Sequence, residues 1–289
     1  MVVGGALTQY APYPLRLNFV VLAAAIAIAI VAVLRMPHHT RDETAERWRI
    51  RPIIIPAGSR GIFVTGAVAC ASSFLLGAIV LPLGAKIAHQ LAGSANALVT
   101  GALLSVFAVC ITLNSLYARR LGEWTLVLFG AAGSIAAVWL YVLTGTWHSL
   151  AAFFAASAIA GAAYAFNFSG GLTVLSKYAA AHHRASMVSG GYLVGYLAQG
   201  IGAPLLGWVV TGHGLMNGLV TGAILFSAFF ALVIASSLNV RRTAYRHLDA
   251  LAAQAPAVKK PADRPGTAGA SSGRDQTQPV ARVQNQPQT

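Results

Sequence analysis

The chain has 289 residues, 56% hydrophobic and 9% charged, with a net charge of +13 and a mean hydropathy of +0.66. A soluble globular domain carries about 25% charged residues, so there is too little charge here to cover a water-facing surface. A soluble enzyme, a disulfide-framed secreted domain and a disordered regulator are excluded, and the composition is that of a polytopic α-helical membrane protein.

The chain opens with MVVGGALTQYAP, which is apolar and glycine-rich but too short to span a bilayer. It lacks the basic start of a signal peptide and reads as the stub of a helix whose beginning is missing. Seven apolar segments follow, at 15–34, 61–85, 95–117, 124–144, 149–175, 186–210 and 215–238. Each is long enough to cross about 30 Å of hydrocarbon as a helix. Backbone groups in lipid must be satisfied within the segment, which selects helices. Runs such as 19–34 do not alternate as barrel strands do. The expected organisation is an all-α bundle: a helix remnant and one crossing (1–34), a cytoplasmic loop (35–60), six crossings (61–240) and a tail (241–289). The tail holds five of the twelve prolines and no Phe, Trp or Ile, so it is predicted to be disordered and basic.

Charge sets the orientation. Arg35, Arg41, Arg47, Arg49, Arg51 and Arg60 fall in loop 35–60, Arg119 and Arg120 in loop 118–123, and Lys177 and Arg184 in loop 176–185. With the tail, eighteen basic residues lie on one side of the alternating crossings, and only Arg16 and Lys86 on the other. The positive-inside rule then predicts a cell-membrane protein with its N-terminus outside and its C-terminus in the cytoplasm. Trp124, Trp147 and Trp208 fall at segment ends, where an aromatic belt places them.

Between Arg60 and Asp249 the only carboxylate is Glu123, at the start of a helix. This region therefore has no carboxylate proton relay and no paired acids for hydrolysis. His38-His39 and His182-His183 are adjacent pairs whose rings project apart, and they read as loop residues rather than metal ligands. Cys70 and Cys110 sit in apolar runs and read as small, unbridged side chains. No catalytic residue, metal, cofactor or nucleic-acid partner is expected. The remaining candidates are neutral. Tyr192, Tyr196 and Gln199 share one helical stripe, Tyr164 and Asn167 are spaced i, i+3 on the preceding segment, and Asn114 lies near the inner end of 95–117. Such groups avoid lipid. Two roles are open to them: lining a substrate path, or bonding helix to helix. Lys86 and His89 read as interfacial.

Two local patterns carry a family resemblance. Gly200-Ile201-Gly202-Ala203-Pro204-Leu205-Leu206-Gly207 resembles the Gly-Pro-x-x-Gly motif of helix five, and its echo in helix eleven, of the major facilitator superfamily (MFS) of secondary transporters. Tyr117-Ala118-Arg119-Arg120-Leu121-Gly122 resembles that family's Leu-Ala-Asp-Arg-x-Gly loop, with Arg119 where the family often has Asp. That departure removes one partner of the family's usual charge latch. Ala181-His182-His183-Arg184-Ala185 fits the loop between helices ten and eleven. Over residues 1–240 the chain resembles the end of helix five, helix six, the central loop and the complete second half of the twelve-helix fold. The resemblance implies transmembrane transport of a small organic solute, with the site between two half-bundles. In Gly200, Gly202, Pro204 and Gly207 it implies close helix packing and a bend. It also implies three partners: the lipid bilayer, a small-molecule substrate, and either a separate first half or a second copy. One half by itself is not expected to carry out alternating access, so the portion seen here is expected to be truncated and inactive on its own. The absence of buried basic residues argues against a strongly anionic substrate such as a phosphate ester. Two alternatives keep the seven-helix count: a receptor-like protein and a non-transporting membrane scaffold. A retinal protein needs a lysine in the last helix, and 215–238 has none.

Overall fold

The computed structural model describes residues 2–10, 13–35, 55, 57–92, 97–180 and 183–254. Most of the central loop, His38-His39, His182 and residues 255–289 lie outside the described residues. Met1–Ala253 forms one compact unit, and the second unit, Gln254–Thr289, falls outside the description except for Gln254. Among the described residues there are eight α-helices and no strands: α1 (Val2–Tyr10), α2 (Pro14–Leu34), α3 (Arg60–Ala92), α4 (Ala97–Ala118), α5 (Glu123–Trp147), α6 (Leu150–Lys177), α7 (Arg184–His213) and α8 (Leu215–Gln254). The last seven are long and apolar enough to cross a membrane.

The helix ends follow from local chemistry. α2 begins with Pro14, whose missing N–H costs nothing in a first turn. α5 stops where His148 takes a left-handed conformation, and Ser149 then caps α6 by accepting from the Ala152 N–H at 3.4 Å. α7 ends at Gly214, whose φ of 87° is open to glycine and strained for other residues. Two helices outrun the apolar segments. α3 passes 85 to reach Ala92, because Lys86 and His89 are exposed at its end, where polar heads leave the apolar layer. α8 runs to Gln254, which corrects the tail boundary at 241. The sequence 241–254 is rich in Ala, Leu and Arg, and the first proline of the tail is Pro256, so helix propensity carries the crossing onward.

α6 is the hub of the bundle and packs on α3, α4, α5 and α7. It does so through glycines that let backbones touch. A Cβ on Gly171 would lie 2.8 Å from the Cys70 amide nitrogen, and one on Gly161 would lie 2.6 Å from the Phe107 carbonyl oxygen. Gly170 meets α5 at Leu126 and Val127, and Gly130 of α5 meets Asn167. The α3–α6 contacts (Gly66 with Leu175, Cys70 with Gly171, Gly77 with Tyr164) and the α5–α6 contacts both run antiparallel. α3 and α7 lie parallel, with Phe74 against Gly195 and Leu75 against Gly202. Cys70 and Cys110 are both free. They face α6 at Gly171 and Gly161, positions about 15 Å apart along that helix, so no disulfide can join them.

α1 packs on α4, with Gly5 against Ala97 and the Gln9 side chain accepting from the Ala97 N–H at 3.0 Å. α2 contacts α1, where Asn18 donates to Thr8 at 2.9 Å. Every residue of α2 from Phe19 to Leu34 is exposed.

Backbone-to-backbone contact at α6 leaves no flexible neighbour to give way. Gly171→Val is expected to lower the midpoint of thermal unfolding by about 5 °C, from a 1–3 kcal/mol overpacking cost. Gly200→Ala, at a glycine with nothing within 4 Å of its Cβ position, should leave it unchanged. A thiol-reactive dye that reports exposure of the buried Cys70 during a thermal ramp in detergent measures both.

Candidate functional site

The α7 stripe meets aromatic rings from two other helices, α3 and α6. Tyr192 packs edge-on against Phe168 at 5.9 Å and stacks along its own helix on Tyr196 at 6.4 Å. Tyr196 lies 4.9 Å from Phe74 of α3, and Phe74 reaches Phe168 at 6.1 Å. Tyr164 stacks on Phe168 at 6.2 Å and meets Phe107 of α4 edge-on at 5.9 Å. Six rings from α3, α4, α6 and α7 thus form one continuous cluster. Tyr192, Tyr164 and Gln199 are half-buried, and Tyr196 is 61% exposed, so the cluster opens on one face. Such a surface offers π faces and phenol hydroxyls, which suit an organic solute with an apolar body.

Asn167 and Asn114 are placed differently. Asn167 is fully buried between α5 and α6, donates to Ser134 at 3.0 Å, and its Oδ1 has no partner among the described residues. Asn114 is half-buried and donates to the Cys110 carbonyl of its own helix at 2.8 Å. Of the glycine motif, Gly202 packs against Leu75 of α3, whereas Gly200 and Gly207 meet nothing within 4 Å. Pro204 lies inside α7, at the level where Pro82 interrupts α3, because Ala203, Gly207 and Pro82 line one cavity. Each proline frees the carbonyl four residues earlier and favours a bend there.

Arg119 and Arg120 are exposed in the tight turn between α4 and α5, and Gly122 is the extended residue that starts α5. Neither arginine forms an ion pair among the described residues. The charged centre at this end is built one residue further on, which reading the loop motif missed. Glu123 Oε1 receives the Lys177 ammonium at 2.8 Å and the Tyr178 hydroxyl at 2.7 Å, and Tyr178 accepts from the Trp124 indole at 3.0 Å. Tyr245 of α8 packs edge-on against Tyr178 at 6.3 Å. Burial first, and the bond to Glu123 second, push the Tyr178 phenol well above its ordinary pKa. Lys177 is half-exposed and its ion pair is screened, so the buried Tyr178 and Trp124 bonds contribute more to this clamp. The isolated Glu123 in the sequence gave one signal of it, and the Lys177-Tyr178 neighbours at the end of α6 gave the other.

The fold defines a polytopic helical membrane protein with an aromatic cluster open on one face. A family profile of the Major Facilitator Superfamily matches residues 1–203. The chain belongs to that family, and it is an integral membrane protein. A solved structure of similar fold is a bacterial homologue of the human lysosomal transporter Spinster, in an inward-facing and unoccupied conformation. The two agree with a TM-score of 0.54 at 17% identity, over 81% of this chain and 60% of that one. This chain therefore spans less than two thirds of that transporter's length. No curated protein matches the chain.

Tyr178→Phe leaves a buried carboxylate short of a donor and the Trp124 indole short of an acceptor. It is expected to cost about 1–2 kcal/mol and to lower the unfolding midpoint by about 2–6 °C. Lys177→Gln should cost less than half of that. Thermal ramps of the two variants in one detergent compare them.

Proposed function

We propose that this protein is a non-enzymatic part of a secondary transporter that moves a small organic solute across the cell membrane. In this reading, Tyr164, Tyr192, Tyr196 and Gln199 form the solute-facing surface of the second half-bundle. The observation that carries the reading is the six-ring cluster, open on one face in a chain of the Major Facilitator Superfamily. Two half-bundles rocking about a midplane site need a second wall opposite this one. A complementary half-bundle, encoded separately or supplied by a second copy, is that wall. Exposed polar side chains on a lipid-facing surface cost about 1–3 kcal/mol each on protein-derived scales, which favours such a partner. The loop with Arg119 and Arg120 lies on the cytoplasmic side in this reading, and the N-terminus lies outside. The prolines at 82 and 204 supply bends at one level.

The test is flux. The chain is reconstituted in vesicles, alone and with an upstream six-helix segment, and saturable movement of a panel of organic solutes is followed with and without a proton gradient. Transport is expected with the partner segment and not with the chain alone as a monomer. Tyr192→Ala combined with Tyr196→Ala should lower the flux about tenfold, the loss of roughly 1.4 kcal/mol of aromatic contact. Saturable flux that the double variant leaves intact would sink the site. A single cysteine placed in 145–148 should react with impermeant reagent from outside the cell, and reaction from the cytoplasm would reverse the orientation.

A further inference from the structure

The stripe that begins with Tyr192, Tyr196 and Gln199 does not end there. Its helical spacing continues through Ala203, Leu206 and Val210, and these three line a cavity between α3 and α7 of about 290 Å³. Pro82, Leu83 and Lys86 form its other wall, and Gly207 and Thr211 complete it. The volume is at the lower end of the ~300–1,000 Å³ range of small-molecule sites. Gly207 has no side chain to fill the space, and nothing lies within 4 Å of where its Cβ would be. Phe74, at the aromatic cluster, and Pro82, at the near wall of the cavity, are about 12 Å apart along α3. One amphiphile of about that length could thus meet π faces at one end and a cation at the other.

The chemistry of the rim is unequal. The Thr211 hydroxyl already donates to the Gly207 and Trp208 carbonyls, both at 3.0 Å, so it has only acceptor capacity to offer. The side-chain donor left on the rim is the Lys86 ammonium, with three N–H groups. Between Glu46 and Glu123 the sequence holds no Asp or Glu, and Lys86 forms no ion pair among the described residues. A mostly apolar cavity with one uncompensated cation at its edge is complementary to an organic carboxylate and disfavours a cation.

We propose that this cavity is an anion-reading subsite: Lys86 pairs with the carboxylate of a small amphiphilic organic acid whose apolar body lies along α7 toward Tyr196. The proposal rests on the transport reading above and names the substrate class for it. It also gives Lys86 a specificity role in place of an interfacial one. A single ammonium suits a monoanion, so the earlier argument against phosphate-ester-like substrates still holds.

The test is equilibrium binding of radiolabelled octanoate, with octanol as the neutral counterpart, to the full chain in phosphatidylcholine nanodiscs. Lys86→Gln should weaken octanoate binding about tenfold, Lys86→Arg should keep it within about threefold, and neither should change octanol binding. Gly207→Leu should abolish both by filling the cavity, and its open surroundings favour retention of the fold. In Thr211→Cys, octanoate should protect the new thiol from alkylation, an independent measurement should a Lys86 or Gly207 variant not fold. Octanoate binding indifferent to Lys86→Gln, or a thiol that octanoate leaves unprotected, would overturn the proposal. Competition by phosphatidylglycerol added to the nanodiscs would overturn it too, since the anion would then be a lipid headgroup. These readouts need no flux. A negative result removes the subsite and leaves the transport reading standing, whereas binding without flux when the partner segment is present does the reverse.

Discussion

Apolar side chains gain little by leaving lipid for another helix, so the bundle depends on how closely its backbones approach. That approach is concentrated on α6, where Gly161, Gly170 and Gly171 bring the backbones of α4, α5 and α3 against one another. The remaining polar groups are arranged around this contact. Ser134 and Ser72 return their hydroxyls to carbonyls of their own helices, at 2.8 Å and 2.6 Å. Asn167 with Ser134, and Tyr141 with Ser157, join α5 to α6 across a seam that the glycines have already closed. Interhelical bonds of this kind contribute only about 0.6–2 kcal/mol each, so they specify register on a contact that shape has made.

With α6 fixed, α3 and α7 lie side by side and parallel. The aromatic cluster sits against them at one level, and at another lies the cavity edged by Lys86, with Gly207 in its lining. The charged clamp of Glu123, Lys177, Tyr178 and Trp124 sits at the opposite end of the bundle from Lys86 and ties α5 to α6. Glu123 is committed to its neighbours, while Lys86 meets no group of opposite sign among the described residues.

The crossings were legible because apolar runs of crossing length have no other stable outcome in lipid. Their ends were less so. Hydropathy fell at Lys86 and at Arg241, but a helix leaving the apolar layer does not unwind if its residues favour helix, as 241–254 do. The Tyr192, Tyr196 and Gln199 stripe was legible from spacing alone. Its partners Phe74, Phe107 and Phe168 were not, since a phenylalanine in an apolar run looks the same whether it meets lipid or another ring. Asn167 and Tyr164 share a spacing and yet point to different neighbours, one into the α5 seam and one into the rings. The cavity beside Lys86 was invisible for a similar reason: it lies where Gly207 has no side chain to fill it, at the level where two distant helices meet.

α2 stands apart from all of this. Its 21 residues span about 31 Å, close to the ~30 Å of hydrocarbon in a typical bilayer, and its side chains from Phe19 onward meet no protein wall among the described residues. Until a partner half-bundle covers it, its tilt follows the thickness of the surrounding lipid. A thicker or thinner membrane would be felt first at this helix, as hydrophobic mismatch. The Asn18–Thr8 bond to α1, and the seat of α1 on α4, give that mismatch a mechanical route into the bundle.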